Sequence, residues 1–199
     1  MIAILDYGSG NIRSAQRACE RAGLATKVTS DYAEAASARG LVIPGVGAFE
    51  SCMRQLRAIK GDELLRDRVE NGLPILGICV GMQILFDSSE EASAKVSGLG
   101  LLSGTVKRLK SKILPQIGWN QVSPGANSIL FNGIESERFY FVHSFAVVDP
   151  VANGTNTLSD FAGPFLAGVE AGPISAVQFH PEKSGAAGIK LISNWGQSL

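Results

Sequence analysis

The chain has 199 residues, 45% of them hydrophobic and 18% charged, and its 18 basic and 18 acidic residues give a formal net charge of zero. This length and composition are typical of one globular domain, which we expect to span residues 1–199. Without a basic excess or a block of like charges, the sequence argues against nucleic-acid binding and against a charged tail. The most apolar stretch, 73–86, contains Pro74, Gly77 and Gly81 and is too short to cross a bilayer.

The cysteines argue for a reducing compartment. There are three, Cys19, Cys52 and Cys79, without a C-x-x-C pair. An odd number in this arrangement argues against a disulfide framework and against a zinc site. The segment from Met1 to Asp6 is apolar and has neither a basic region nor a cleavage site. We therefore expect a cytoplasmic protein that needs no metal or other cofactor.

The first half of the chain alternates short apolar runs with helical patterns. The pattern predicts strands at 2–5, 25–28, 40–43 and 74–78, the third ending at Pro44. Between them, apolar residues at helical spacing predict helices around 12–22 and 64–73, and a further helix over 80–86. This repetition predicts an α/β fold with a doubly wound, mostly parallel central sheet and helices on both faces.

The second half favours antiparallel strands. Segments 105–109, 139–142 and 146–148 are rich in β-branched and aromatic residues and are separated by polar stretches. We expect these three strands to be added to the central sheet. A last strand over 174–179 should precede a closing helix over 186–195.

Cys79 is the candidate nucleophile, because it lies between a predicted strand and a predicted helix in the turn Gly77-Ile78-Cys79-Val80-Gly81. This is the G-x-S-x-G nucleophile elbow with cysteine in place of serine. A tight turn of this kind exposes the side chain at the carboxyl edge of the sheet, and the glycines remove Cβ atoms that would clash. The N–H groups that open the following helix favour a thiolate and an oxyanion. A small buried cysteine in a tight turn is the structural alternative.

His180 and Glu182 are the candidate base and orienting acid. Residues two apart in extended backbone point the same way, and Pro181 between them favours extended backbone at His180. The Glu182 carboxylate can then fix the imidazole tautomer while the other ring nitrogen takes the thiol proton. Catalytic groups in open α/β sheets collect at the carboxyl edge, where both motifs are expected.

Two other features compete for functional roles. His143, flanked by strand residues, is an alternative base, although such a histidine is more often part of a core or an interface. The segment 6–11 superficially resembles a dinucleotide-binding glycine loop, but it lacks the third glycine and the acidic residue that should follow.

Taken together, segments 77–83, 44–47 and 178–182 resemble the class I glutamine amidotransferases. Segments 6–11, 118–120 and 140–144 narrow the resemblance to the glutaminase subunits of imidazole glycerol phosphate synthases, in histidine biosynthesis. The resemblance covers nearly the whole chain. It implies glutamine hydrolysis through a cysteine thioester, and ammonia delivery to a cyclase subunit, a β/α barrel, in a heterodimer.

The resemblance also implies roles for individual residues. Cys79, His180 and Glu182 would form the catalytic triad. The oxyanion and substrate-binding positions would be Val46, Gly47, Val80, Gln83 and Ser144. The contact with the cyclase subunit would include Asn11, Trp119, Tyr140 and Lys183.

One departure from the family pattern and three rival functions remain. The family often has histidine two residues before the Gly-Trp-Asn segment, where this chain has Gln116. Glutamine can form hydrogen bonds but cannot carry charge. The rival functions are the glutaminase subunit of another amidotransferase, a stand-alone cysteine hydrolase, and a binding module that has lost catalysis.

Overall fold

A seven-stranded sheet lies at the centre of the molecule. The computed structural model describes residues 1–93 and 96–199. Its strands are β1 (Ile2–Leu5), β2 (Thr26–Thr29), β3 (Gly40–Gly45), β4 (Ile75–Cys79), β5 (Ser88–Ser89), β6 (Thr105–Arg108), β7 (Gln116–Gln121), β8 (Arg138–His143), β9 (Phe145–Val147), β10 (Thr155–Asp160), β11 (Pro164–Ala171) and β12 (Ile174–Val177). The central sheet has the order β10-β11-β12-β4-β3-β1-β2. Its five strands β1 to β4 and β12 run parallel, while β10 and β11 are antiparallel additions at one edge. The predicted fold class is confirmed.

The middle of this sheet is formed by strands that are apolar and buried along their whole length. Every residue of β1, β3 and β4 is buried, because these strands are covered on both faces. The third strand runs through Pro44 to Gly45, one residue further than predicted, and Gly45 pairs with Cys79 in β4. The ends of β3 and β4 therefore lie side by side at the carboxyl edge.

Six helices complete this architecture in the described residues: α1 (Ile12–Arg21), α2 (Tyr32–Ser37), α3 (Phe49–Ala58), α4 (Gly61–Glu70), α5 (Val80–Gln83) and α6 (Gly185–Gln197). The chain passes from β1 to its neighbour β2 and then back past β1 to β3, so the two connections run in opposite directions. Because both crossovers are right-handed, α1 lies on one face of the sheet and α2 on the other. Consistent with two layers, α1 packs on α6, while α2 and α3 pack on α4. Among the described residues, no helix has both the length and the apolar character required to cross a membrane.

Two small sheets lie outside the central one, and here the sequence-based expectation was wrong. The predicted strands at 105–109 and 146–148 form, but β6 and β9 join β5 in a separate three-stranded sheet. The predicted strand at 139–142 pairs with β7 in a two-stranded sheet. In β8, buried residues alternate with more exposed ones, which suits a strand with one wet face better than a central strand. The antiparallel additions come instead from β10 and β11.

The helix predicted over 80–86 is a single turn, α5. The N–H groups of Leu85 and Phe86 donate to carbonyls three residues back, those of Met82 and Gln83, instead of four residues back. The carbonyls of residues 84–86 accept hydrogen bonds from backbone N–H groups of residues 99–102, a loop from further along the chain. The result is a short, tightly packed turn directly after Cys79.

Candidate active site

Cys79 occupies a sharp turn between β4 and α5. Its backbone has φ 57° and ψ −114°, a conformation that residues other than glycine rarely adopt. A Cβ on Gly81 would lie 1.9 Å from the carbonyl oxygen of Ile43, and one on Gly77 would lie 2.8 Å from the carbonyl oxygen of Gly81. Only glycine allows these backbone segments to approach so closely. The structure therefore has the geometry of a nucleophile elbow at Cys79.

The Cys79 side chain is 4% exposed and lines a cavity of about 400 Å³. Nine of the residues singled out from the sequence share this cavity: Val46, Gly47, Cys79, Val80, Gln83, His143, Ser144, His180 and Lys183. Because α5 is only one turn long, it has no long helix dipole. A developing negative charge can instead be stabilised by the N–H groups at the start of α5.

His180 and Glu182 form a buried pair at the end of the last parallel strand. His180 Nδ1 lies 2.8 Å from Glu182 Oε1, and their side chains are 3% and 4% exposed. Pro181 begins a short 3-10 turn (Pro181–Lys183), while His180 keeps extended backbone, as the sequence suggested. With Nδ1 engaged by the carboxylate, Nε2 is the ring nitrogen left for proton transfer.

The charge state of His180 is set by opposing effects. Burial lowers the pKa of its imidazolium, but the neighbouring Cys79 and the hydrogen-bonded Glu182 carboxylate outweigh burial and raise the pKa to about 10. His180 is therefore a strong proton acceptor in this cavity.

A chain of amide groups supports the nucleophile. The Gln178 side-chain amide donates to Cys79 Sγ at 3.8 Å, and Gln83 Nε2 donates to Gln178 Oε1 at 3.0 Å. Gln83 Nε2 also donates to the Phe145 carbonyl at 2.9 Å. Gln178 had no role in the sequence-based interpretation, although it opens the segment that contains His180. Its position beside the thiol suggests that it orients Cys79.

Glu91 is a second residue that sequence reasoning missed. It lines the same cavity, and its Oε2 accepts a hydrogen bond from the Phe49 backbone N–H at 2.8 Å. It belongs to a polar stretch after β5 that carries no recognisable motif, so no local signal marked it. Its carboxylate adds a negative charge to the cavity wall.

The end of β3 continues into the segment expected to complete an oxyanion hole. Tyr7 donates its hydroxyl to the Pro44 carbonyl at 2.8 Å, which ties this segment to the end of β1. Gly47 has φ +87°, and a Cβ added there would meet no atom within 4 Å outside its immediate chain neighbours. Glycine is therefore favoured at this position by the backbone conformation and not by a lack of space. The Val46 N–H donates to Ser9 Oγ at 3.3 Å and is thus engaged on the side of Ser9.

His143 is buried in the wall of the cavity, but it is not paired with an acid. Its Nδ1 lies 3.0 Å from the Phe145 carbonyl oxygen, and burial lowers its pKa to about 4. Such an imidazole is a weak base at neutral pH. The base role suggested for it as an alternative therefore fits His180 better.

Three of the four residues expected at a partner interface lie together. The rings of Trp119 and Tyr140 pack edge to face at 6.1 Å, and Lys183 Nζ lies 5.9 Å from the centre of the Tyr140 ring. Trp119 is 48% exposed and Ile117, on the same face of β7, is 63% exposed. The side chain of Asn11 instead caps α1 by accepting from the Ser14 N–H at 3.4 Å. The exposed aromatic and aliphatic groups form an apolar patch that includes Ile117, Trp119 and Tyr140.

The described residues contain no group of three or more His, Cys, Asp or Glu side chains placed to hold a metal ion. The polar groups of the cavity are arranged around the thiol of Cys79 and the His180–Glu182 pair.

Comparisons with known proteins agree with this geometry. The family model described as "Glutamine amidotransferase class-I" matches residues 3–196. The chain is 52% identical over 201 residues to the imidazole glycerol phosphate synthase subunit HisH of Mycolicibacterium paratuberculosis, covering 100% of this chain and 98% of that protein. It is 48% identical over 206 residues to the subunit of the same name from Nocardia farcinica, again covering 100% and 98%. A crystal structure described as a glutamine amidotransferase superposes with a TM-score of 0.78 at 19% identity, covering 98% of both chains.

Proposed function

Since the chain belongs to the class I glutamine amidotransferase family, we propose that it hydrolyses glutamine to glutamate and ammonia as the glutaminase subunit of an imidazole glycerol phosphate synthase, in histidine biosynthesis. The resemblance read from the sequence motifs is confirmed by the family match. One observation carries the chemistry: Cys79, in its elbow, shares a cavity with His180, whose ring is paired with the buried Glu182 carboxylate.

The proposed reaction uses these three residues in sequence. The thiol proton of Cys79 passes to His180, whose raised pKa favours the imidazolium. The thiolate adds to the side-chain carbonyl carbon of glutamine. As the C–N bond breaks, His180 protonates the departing nitrogen, so ammonia leaves and a γ-glutamyl thioester remains. Water, deprotonated by His180, then cleaves the thioester to glutamate and restores the thiol.

Backbone N–H groups would stabilise the oxyanion of each tetrahedral intermediate. Val80 follows the nucleophile directly, and Val46 and Gly47 line the same cavity. One such donor is worth on the order of a hundred- to a thousandfold in rate. Since the Val46 N–H is bonded to Ser9, this donor must turn before it can take part.

The cavity also offers complementary groups for the amino-acid end of glutamine. We assign the Glu91 carboxylate to the α-ammonium group, because the two charges are opposite and Glu91 lines the same cavity as Gln83 and Ser144. Gln83 and Ser144 would complete the recognition of the substrate.

The apolar patch around Trp119 is assigned to a cyclase subunit, a β/α barrel, in a heterodimer. Ammonia that escapes into water becomes ammonium, which is not a nucleophile. A partner that covers the cavity prevents that loss, and the exposed Ile117 and Trp119 suit a buried interface core. We place the complex in the cytoplasm, where the free cysteines of this chain would stay reduced.

The experiment is to measure glutamate release from glutamine by the purified chain, with and without its cyclase subunit and that subunit's nucleotide substrate. We expect low activity alone and a strong increase in the complex. Cys79→Ala should abolish the activity, while the matched control Cys19→Ala, another buried cysteine, should retain it. Release that survives Cys79→Ala would exclude Cys79 as the nucleophile. Full activity of the chain alone would contradict the coupling and favour a stand-alone hydrolase.

A further inference from the structure

His143, in the wall of the catalytic cavity, has a hydrogen-bond acceptor without a donor. The residue is 6% exposed and lines the same cavity as Cys79 and His180. Its Nδ1 lies 3.0 Å from the Phe145 carbonyl oxygen, which can only accept, so Nδ1 carries the proton. In the neutral ring Nε2 is then a lone-pair acceptor. It is buried and has no hydrogen-bond partner among residues 1–93 and 96–199.

The His143 ring is fixed in this position by its neighbours. Phe141 and Phe165 pack against it, with ring centroids 5.7 Å and 5.0 Å away. The hydrogen bond to Phe145 fixes the other side. Since the ring has no room to seek another partner, its unpaired nitrogen costs stability. The side chain opposite His143 in the β7–β8 register, Gln116, is also buried and also has a carbonyl oxygen without a partner in the described part of the chain.

The strand that carries His143 also supports the catalytic histidine. The His180 backbone N–H donates to the Tyr140 carbonyl at 2.9 Å, so the catalytic histidine is docked on β8, the strand that ends at His143. The charge of an imidazolium at His180 also lowers the pKa of His143. The α-ammonium of glutamine is a poorer candidate for this neutral acceptor, because the Glu91 carboxylate in the same cavity matches its charge.

We propose that Nε2 of His143 is the first binding site for the ammonia released at Cys79, before it passes to the partner subunit. This inference rests on the proposed glutaminase function and adds a site for its product. Ammonia has three N–H donors and needs an acceptor that does not protonate it, since ammonium cannot react further. A neutral imidazole fits this need. Because burial lowers the pKa of His143 to about 4, the ring has no acidic proton to give at neutral pH.

By microscopic reversibility, the same site would serve ammonia that attacks the γ-glutamyl thioester. In that back reaction a C–N bond forms, the C–S bond breaks, and one proton from nitrogen returns to the Cys79–His180 pair. The experiment therefore supplies the complex of both subunits with glutamine and [15N]ammonium chloride. The measured quantity is the 15N incorporated into remaining glutamine, divided by the glutamate released.

Two substitutions at His143 distinguish the loss of the Nε2 acceptor from the loss of the imidazole ring. His143→Asn keeps a donor near the Nδ1 position but has no acceptor at the Nε2 position, and we expect the ratio to fall about fivefold or more. His143→Gln restores an acceptor near Nε2 and should recover the ratio to within about twofold of the wild type. Thr157→Val is the control. It removes a different buried polar group without a partner, the hydroxyl of Thr157 in β10, and should leave the ratio unchanged. Because both products come from the same active molecules, partial misfolding does not alter the ratio.

Two results would overturn the ammonia site. One is a wild-type complex that incorporates no label while it releases glutamate. The other is an unchanged ratio in His143→Asn, either alone or together with a lower kcat/KM for glutamine in that variant. The lower kcat/KM would assign Nε2 to the substrate instead. A wild-type complex that releases no glutamate contradicts the proposed function itself, so the two failures are distinguishable.

Discussion

The hydroxyl group of Ser9 holds both backbone groups of Val46. Ser9 Oγ donates to the Val46 carbonyl oxygen at 2.8 Å and accepts from the Val46 N–H at 3.3 Å. Cys52 Sγ lies 3.1 Å from Ser9 Oγ and donates to the same carbonyl at 3.4 Å. The N–H that would help to stabilise an oxyanion is thus bonded to the loop after β1. This arrangement gives a physical reason for the low activity that we expect of the isolated chain.

Ser9→Ala should release this restraint. A typical hydrogen bond contributes about 1 kcal/mol net, so we expect glutamate release by the isolated chain to rise about fivefold. The activity of the complex with the cyclase subunit should change little, because we expect the Val46 segment to be reoriented already in the complex. Steady-state glutaminase assays of both forms test this expectation. A lower activity of the isolated variant would mean that Ser9 supports the active arrangement instead.

The His180–Glu182 pair predicts a pH dependence of stability. The folded-state pKa of His180 is about 10, above the ordinary value of about 6.5 for the unfolded chain. Folding therefore favours the protonated form. This stabilisation is fully present below pH 6.5, declines as the pH rises, and is lost as the pH passes 10. Glu182→Gln removes the carboxylate that raises the pKa of His180.

The free energy of unfolding, measured with urea at pH 6, 8 and 10, should be higher for the wild type than for Glu182→Gln at pH 6. The difference between the two proteins should shrink as the pH rises. A difference that widens with pH would show that the pair does not favour the protonated imidazole.

Local patterns in the sequence were sufficient to predict the parallel strands and the elbow. An uninterrupted apolar run such as 75–78 gives a strand buried on both faces, and the glycines around Cys79 reflect backbone contacts that only glycine permits. The pair His180 and Glu182 could be predicted because both residues belong to one short segment. In each of these cases, the residues that decide the structure are neighbours in the chain.

Features decided by distant segments could not be predicted. The carbonyls of residues 84–86, directly after α5, accept hydrogen bonds from residues 99–102, which are distant in the chain. The contact between Ser9 and Val46 joins residues 37 apart, and Glu91 enters the cavity from a stretch without periodicity. The edge position of β10 and β11 depends on competition between strands for the same sheet edge, which local propensity does not encode.

Arg68 connects three elements by hydrogen bonds to main-chain carbonyls and is 1% exposed. Its Nη1 donates to the carbonyls of Ala35, Ala36 and Ala38 at 2.9, 3.0 and 2.9 Å, and its Nη2 donates to Pro74 at 2.9 Å. Burial lowers the pKa of Arg68 to about 10, so the group remains charged at neutral pH. Several carbonyls near the end of α2 and before β4 depend on this one side chain.

Arg68→Met should lower the free energy of unfolding by about 3 kcal/mol or more, since each buried acceptor left unpaired costs about 1–3 kcal/mol. The control Arg66→Met changes an exposed arginine of the same helix and should have an effect within about 0.5 kcal/mol. Urea denaturation measures both values. Equal stability of the two variants would show that other donors or water replace the guanidinium.

Gly81→Ala tests whether the elbow positions the nucleophile. The new Cβ would lie 1.9 Å from the Ile43 carbonyl oxygen, a backbone atom of the central sheet that cannot move aside cheaply. The start of α5 must therefore shift away from β3, and Cys79 and the Val80 N–H shift with it. A displacement of about 1 Å in a reacting group can cost on the order of a hundredfold in rate. We expect at least this loss in glutaminase kcat, and a loss of about 3 kcal/mol in the free energy of unfolding.

Gly154→Ala is the matched control and should retain activity. Its Cβ would approach a side chain, that of Val169, to 3.2 Å. Glutaminase assays corrected for the folded fraction test the prediction, and wild-type kcat in Gly81→Ala would contradict the role of this close approach.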